Sequence, residues 1–351
     1  MTKLIVGYSP LSQSMDAPGD RRRLIFWANH RGHKIETDLT KRVDVIVASE
    51  ASNFMSPFLR DSRTPIILDL VDAYLCRKNL VEDLARGLGK RLTGQISAGV
   101  KPFSKYISEF CTSANAVICS SLEQASLISP LNSNTHIILD SHEEIPFLSP
   151  RSLEIDSSVK FRILWEGQPA TIRGMKEISS VLSQLSKTQN LELQFVTDQQ
   201  YFKFLGKYYK RNTNDLLEKD LSAIMNYIDL TPWSINSLIS AAKKSSVAML
   251  PIDQSVPMQR LKPENRLLIM WRLGLPCLTS ATPSYERVAL NSGVDATCKT
   301  LDDWFRKFNV LRENPRYARA EIERAQDYVH TNHNKENLLR QWDQAIGSVL
   351  R

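Results

Sequence analysis

Lys262, Asn265 and Arg266 stand close together in LKPENRLLIMWRLGLPCLTSATPSYERV, the stretch from Leu261 to Val288. Offsets of three and four residues put such side chains on one face of a helix. Pro263 suits a first helical turn, where its missing N–H costs nothing, and Gly274 with Pro276 stops the run. The pattern predicts a helix over 263–273, the buried strand CLTS, and a second helix opening at Pro283-Ser284. A helix N-terminus presents free backbone N–H groups and the positive pole of the helix dipole. Two cations, one amide and that terminus together would cradle a diphosphate. The solvated first turn of a surface helix would hold the same residues. At the second helix, the amides of Ser284 and Tyr285 would again lie at an N-terminus. Glu286 would hold a ribose there, or simply favour the first turn.

Two other places carry candidate chemistry. YSPLSQSMDAPGDRRRL is a strand, a polar loop with Pro18-Gly19, and a helix, a common anion-binding layout. PIILDLVDAYL ends a strand with Asp69 and Asp72, where open parallel sheets place their ligands. Asp72 could orient an acceptor hydroxyl or act as base, or it could cap the following helix. Asp69 reads as a strand-end residue held by hydrogen bonds.

The Leu261–Val288 stretch resembles the donor-binding motif of family 4 glycosyltransferases, which have the GT-B fold. In that family a basic residue opens a helix, a second follows a turn later, and Gly-x-Pro ends it before a strand. Lys262, Arg266, Gly274 and Pro276 fall on this pattern. The chain departs from it at Leu261 and Ile269, where many members carry glutamates, and at Val71-Asp72, where many carry His-Asp. More weakly, the resemblance covers nearly the whole chain. It implies that Gly19, with Arg21, lies where backbone reaches donor phosphates or acceptor. It makes Arg31-Gly32-His33 a helix stop feeding the next strand. It places Gly167 where backbone approaches the sugar nucleotide and Arg173 against a donor phosphate, although Arg173 also fits a plain capping loop. Thr231–Trp233 resembles the segment near the nucleotide base.

The elements that would position these residues follow a regular order. Apolar runs at Leu4–Val6, Val43–Ala48, Ile66–Leu70, Ala116–Cys119 and His136–Leu139 read as buried strands. Helical patterns lie between them, near 20–31, 73–90, 101–113 and 121–129. After the polar stretch 143–158, a second series begins: FRILWEG, ELQFVTD, Tyr227–Leu230, VAMLPI and PCLTS, with helices near 174–187, 234–245, 263–273 and 284–291. Such alternation gives an α/β fold with parallel sheets. The expected domains are a Rossmann-like acceptor domain over 1–145 and a Rossmann-like donor domain over 159–325. In the GT-B fold these doubly wound domains face a cleft. A C-terminal helix over 326–351 either crosses back to the first domain, as the resemblance implies, or caps the second.

Composition narrows the classes. The 351 residues are 42% hydrophobic and 24% charged, which excludes disorder. A net charge of +7 is spread along the chain; it suits a phosphate-bearing ligand or an anionic membrane and is too diffuse to point to nucleic acid by itself. Cys76, Cys111, Cys119, Cys277 and Cys298 form no Cys-x-x-Cys pair, so buried free thiols in a reducing compartment are expected. His30/His33 and His330/His333 have no third ligand nearby, so no metal is expected. Neither a nucleophile elbow nor a P-loop occurs. The N-terminus starts directly with a strand, so no signal peptide is expected, and no run reaches ~18 apolar residues. Arg91, Lys101 and Lys105 alternate with Phe103, Tyr106 and Phe110 over 89–110, which fits either core packing or a peripheral bilayer contact. The basic, aromatic segment 202–211 carries the same ambiguity.

The resemblance therefore implies a cytoplasmic hexosyltransferase-like enzyme, with peripheral contact at the inner membrane face left open. It would move a sugar from a UDP- or GDP-linked donor to a glycan, lipid-linked or other acceptor, with retention, no cofactor and no metal. Lys262, Arg266 and Arg173 would neutralise the leaving diphosphate, Asn265 would bond a phosphate or the sugar, and Asp72 would position the acceptor. A non-catalytic nucleotide-sugar-binding protein and a nucleotide-sugar epimerase or hydrolase use the same cradle.

Overall fold

Short runs of β-branched and aliphatic residues bury both faces of their strands and build parallel sheets. A computed structural model describes residues 3–60, 62–76, 79–92, 94, 96–97, 99–150, 160–188, 190–202 and 210–350. By internal packing the chain divides into two units. The first comprises Met1–Ser141, Leu261–Pro263 and Asn334–Arg351; the second comprises His142–Arg260 and Glu264–His333.

The first unit holds β1 (Ile5–Ser9), β2 (Lys34–Glu36), β3 (Val45–Ser49), β4 (Ile66–Leu70), β5 (Ala116–Cys119) and β6 (Thr135–Ile137). They form a six-stranded sheet in the order β2-β1-β3-β4-β5-β6, parallel throughout. Gly32 ends the helix Leu24–Arg31 at φ 70°, and Leu4 N–H donates to His33 Nδ1 at 3.1 Å. Arg-Gly-His thus stops the helix and leads into β2. The pattern predicted one helix over 20–31, but the chain makes Pro18–Arg21 and Leu24–Arg31. Arg23 breaks it by turning inward, where its guanidinium meets Asp69 and Asp140. The last helix, Lys335–Gly347, packs on this unit. Trp342 lies 6.0 Å from Trp27, whose Nε1 donates to Asp343 at 2.8 Å. Phe103, Tyr106 and Phe110 are all buried, so these aromatics serve the core and are not available to a bilayer.

The second unit holds β7 (Phe161–Glu166), β8 (Leu191–Thr197), the antiparallel pair β9 (Gln200–Phe202) and β10 (Lys210–Asn212), then β11 (Ile228–Pro232), β12 (Val247–Leu250), β13 (Cys277–Ser280) and β14 (Thr297–Cys298). Its parallel six-stranded sheet runs β11-β8-β7-β12-β13-β14. Trp165, Phe195, Met249 and Phe308 anchor its core. The organising helix is Asn265–Arg272, capped by Glu264, so Pro263 lies outside it and Lys262 precedes it. Lys262 therefore does not share a helical face with Asn265 and Arg266. Gly274 takes φ 71°, and a Cβ there would collide with the Ser149 carbonyl, so only glycine serves at this stop. Of the basic, aromatic segment 202–211, residues 203–209 lie outside the described residues, as do residues 151–158 of the polar stretch after the first series.

Candidate functional site

Within the second unit, the strand β7 ends in Trp165-Glu166-Gly167, and the helix Asn265–Arg272 delivers Arg266 onto it. Arg266 Nη2 donates to the Glu166 carbonyl, and its Nε lies 3.6 Å from Glu166 Oε2. At 3.6 Å the charges compensate each other but make no hydrogen bond. The guanidinium also lies 5.5 Å above the Trp165 ring. Gly167 makes the approach feasible: a Cβ there would sit 3.0 Å from Arg266 Nη2 and 2.7 Å from Thr171 Oγ1. Trp233 Nε1 donates to Glu166 Oε1 at 3.0 Å and fixes that carboxylate. Among the described residues, Arg266 Nε and Nη1 and Asn265 Oδ1 are buried without a hydrogen-bond partner. Buried polar atoms of this kind are costly unless something accepts from the two Arg266 donors and donates to the Asn265 oxygen. Glu166, an acid that by itself would repel a diphosphate, is thus paired with the very cation expected to meet that diphosphate.

Tyr285 joins the same cluster. Burial pushes its phenol well above the usual range, partly countered by the Arg266 charge and reinforced by Cys277, Glu264 and Glu166. Its backbone N–H is capped by Thr282 Oγ1 at 3.4 Å, so the second helix, Pro283–Ser292, begins with an internal cap. Ser284 is buried beside Thr282. Glu286 forms an ion pair with Lys299 at 2.9 Å. Arg173 opens the helix Arg173–Glu177, mostly exposed, with Asp253 3.8 Å away. The following Gly174 lets that helix rest on the Pro251 carbonyl, into which a Cβ would run.

In the first unit, Asp72 and Lys262 form an ion pair at 3.1 Å. Their segments are tied locally. Gln124 Nε2 donates to the carbonyls of Leu70 and Asp72 at 3.1 and 3.0 Å, and Ser121 Oγ donates to the Leu261 carbonyl at 3.1 Å. Gly19 packs beside this loop; a Cβ would collide with Leu11 and lie 3.2 Å from Val71. The first loop is shaped by the buried Asp20, which accepts from Tyr8 Oη at 2.6 Å, Leu11 N at 2.8 Å and Ser12 Oγ at 2.7 Å. Asp69 is held as expected: Arg23 Nε donates to it at 2.9 Å, and Arg23 Nη1 donates to the Ile138 carbonyl at 2.7 Å. Burial raises the Asp69 carboxyl, and the Arg23 charge opposes that rise.

Glu50, directly after β3, is a further acid that sequence reading missed. Its carboxylate accepts from Val71 N–H at 2.8 Å and from Tyr74 Oη at 3.3 Å. Burial, then the Asp72 charge, push its pKa up to about 8. An acid at the C-terminal end of a buried strand was the available signal. Between about pH 4.5 and 8 the folded chain keeps this proton while the unfolded chain releases it. Stability from this group is therefore present below that window and lost as pH rises through it. Glu50→Gln, which keeps the neutral form, should remove that fall and be the more stable protein above pH 8. Urea midpoints across this range check it; parallel pH profiles for the two proteins would refute it.

Burial pushes the thiols of Cys111, Cys119 and Cys298 up to about 12, so these three are not thiolate nucleophiles near neutral pH.

The two parallel sheets and the chain order are those of the GT-B fold, and glycosyltransferases of that fold are the chain's structural neighbours. No family model and no curated protein matches the sequence. Among solved structures, Anabaena HepE in complex with UDP and glucose superposes with a TM-score of 0.68 at 10% identity, over 98% of this chain and 99% of that one. WaaG, a glycosyltransferase involved in lipopolysaccharide biosynthesis, gives 0.59 at 12% identity over 97% and 98%. A mutant of S. aureus TarM in complex with Fondaparinux, alpha-GlcNAc-glycerol and UDP gives 0.60 at 10% identity, over 86% of this chain. The chain spans 55% of that TarM structure, about half its length. At these identities the likeness is one of fold.

Proposed function

We propose that this chain transfers a sugar from a UDP- or GDP-linked donor to a glycan, lipid-linked or other acceptor. The observation that carries the reading is the Arg266 guanidinium, buried against the Glu166-Gly167 backbone with Nε and Nη1 making no hydrogen bond among the described residues, Nε being 3.6 Å from the Glu166 carboxylate. Two such N–H groups suit a diphosphate, whose charge grows as the sugar leaves. Lys262 and Arg173 add positive charge, Asn265 offers its amide to a phosphate or the sugar, and Gly167 keeps the approach open. Gly19, Ser284, Tyr285 and Glu286 are assigned to the donor side, and Asp72 to the acceptor side, where it orients a hydroxyl. With cationic side chains covering the leaving group, no divalent ion is needed, and the reaction retains configuration, as the family 4 resemblance implies. The working place is the cytoplasm, with peripheral contact at the inner face of the membrane.

One observation favours a second reading. Ile269 occupies a position where many family members carry a glutamate, and it is buried in the core. A protein that binds nucleotide sugars without transferring them, or that epimerises or hydrolyses them, fits that loss. Mass spectrometry over a panel of nucleotide sugars, with mixed acceptors and with EDTA, separates these. Transfer that survives EDTA is expected. Sugar release without acceptor indicates a hydrolase, binding without turnover a non-catalytic protein, and loss in EDTA restored by Mn²⁺ overturns the metal-free assignment.

A further inference from the structure

A cleft of about 740 Å³ opens in the second unit just beyond the C-terminal end of β8, where open parallel sheets place ligands. It shares only Arg173 with the residues assigned to the donor. Three pieces of chain wall it. The β9–β10 pair is pinned to the end of β8: Thr213 N–H donates to the Gln199 carbonyl at 2.8 Å, and Thr213 Oγ1 to the Asp198 carbonyl at 2.5 Å. Across this ladder Tyr201 stands opposite Arg211, so the two share one face. The helix Thr213–Leu221 buries Leu217 and Leu221 in the core and turns Asp215, Leu216, Lys219 and Asp220 to the cleft. The helix Arg173–Glu177 completes the wall, tied to its neighbour by the Lys176–Asp220 ion pair at 3.5 Å.

The lining says what the cleft can hold. Among the described residues, the cations Arg173, Lys176, Lys210, Arg211 and Lys219 face the acids Asp215 and Asp220. Lys176 and Asp220 compensate each other, and the remainder is an excess of positive charge. Gln200 and Asn212 add amides, and Tyr201 with Leu216 supplies the small apolar share. Ligand pockets of this volume are mostly apolar. A cleft walled by charges and amides needs a ligand that brings its own polar groups. Anionic groups would meet the cations. Hydroxyls would donate to Asp215 and exchange hydrogen bonds with the two amides. A sugar ring would lay its C–H face against Tyr201. A ligand of phosphate alone would meet the two acids with like charge and no hydroxyl to donate.

We propose that this cleft binds a sugar chain bearing carboxylate or phosphate groups, at a site on the second unit separate from the acceptor position assigned to Asp72. It rests on the sugar-transfer reading only in taking that chain as acceptor or product. Calorimetric titration of the intact chain with tetragalacturonate and with a phosphomannan fragment, beside neutral maltotetraose and inorganic polyphosphate, tests it. At least one of the two anionic glycans should bind, more weakly as salt rises, and maltotetraose should not. Arg211→Ala with Lys219→Ala should weaken the glycan roughly tenfold, since exposed charge pairs are individually weak. Arg211→Lys with Lys219→Arg, which keeps both charges, should retain most of the binding. Asp215→Ala should weaken the glycan and strengthen polyphosphate, a reversal that loss of folding would not produce. Binding of neither anionic glycan, equal binding of maltotetraose, or wild-type binding by the alanine variant would each overturn the proposal. So would polyphosphate binding more tightly than both glycans, since the cleft would then read charge alone. The alanine variant should keep its thermal response to UDP and GDP, so failure here and failure of the nucleotide-sugar reading register separately.

Discussion

Arg266→Ala should weaken binding of UDP or GDP by roughly ten- to hundredfold, the loss of about 1.5–3 kcal/mol expected for a charge-assisted hydrogen bond. It should also destabilise the unliganded chain, by about 3 kcal/mol, because Glu166 would be left half-buried without its cation. That second effect separates Arg266 from Lys262. The sequence pattern treats the two alike, as cations at one helix N-terminus. In the structure Lys262 lies ahead of the helix and pairs with Asp72 at a partly exposed site. Lys262→Ala should therefore cost at most about 1 kcal/mol of stability while still weakening the nucleotide. Calorimetric titration of each variant, together with urea unfolding, resolves both quantities. An Arg266→Ala protein with unchanged nucleotide affinity would remove Arg266 from the donor site.

Arg23→Ala should be the most destabilising of the single changes considered. It leaves Asp69 and Asp140 facing each other in the first unit without the guanidinium between them. Breaking such a buried group by removing one partner costs about 3–5 kcal/mol. Burial by itself would lower the Arg23 pKa, and Asp69 and Asp140 together more than offset that, so the guanidinium stays charged. Asp69 has a carboxyl raised by burial and then held down by Arg23. Without Arg23 that restraint goes, and Asp69 should take up a proton as pH falls more readily than in the wild type. The variant should therefore recover part of its lost stability in mild acid. Urea midpoints at neutral and mildly acidic pH test this; an equal deficit at both would show that charge is not what the pair contributes.

The sequence carried the strands well because each is a short run of β-branched or aliphatic residues. Ile66–Leu70 and Ala116–Cys119 fall where the pattern put them. The short edge strands Lys34–Glu36 and Thr297–Cys298 have no such run and take their place from the neighbouring strand. Helix breaks were hidden for a different reason. Arg22-Arg23 reads as a charged first turn, and only the tertiary demand of Asp69 and Asp140 turns Arg23 inward. In the candidate site, Gly167 and Arg266 were legible as types at the right spacing. Their contact, and the pairing of Glu166 with Arg266, depends on residues a hundred positions apart and was not. Glu50 sits at a strand end, which marked it as a candidate, but its burial and raised pKa depend on the loop at Val71, whose N–H it accepts from, and were not legible.

The most direct test of the donor assignment is the melting curve of the intact chain with UDP or GDP, set beside UMP or GMP. Diphosphate at ~100 times its dissociation constant should add about 2.7 kcal/mol of apparent stability, a rise of a few degrees for a chain of this size. Monophosphates should protect much less, because Arg266 and its neighbours are assigned to the β-phosphate. Arg266→Ala should abolish the difference between the two. If no nucleoside diphosphate moves the curve, or if UMP and GMP move it as far as UDP and GDP, the Arg266 cluster does not bind a donor diphosphate.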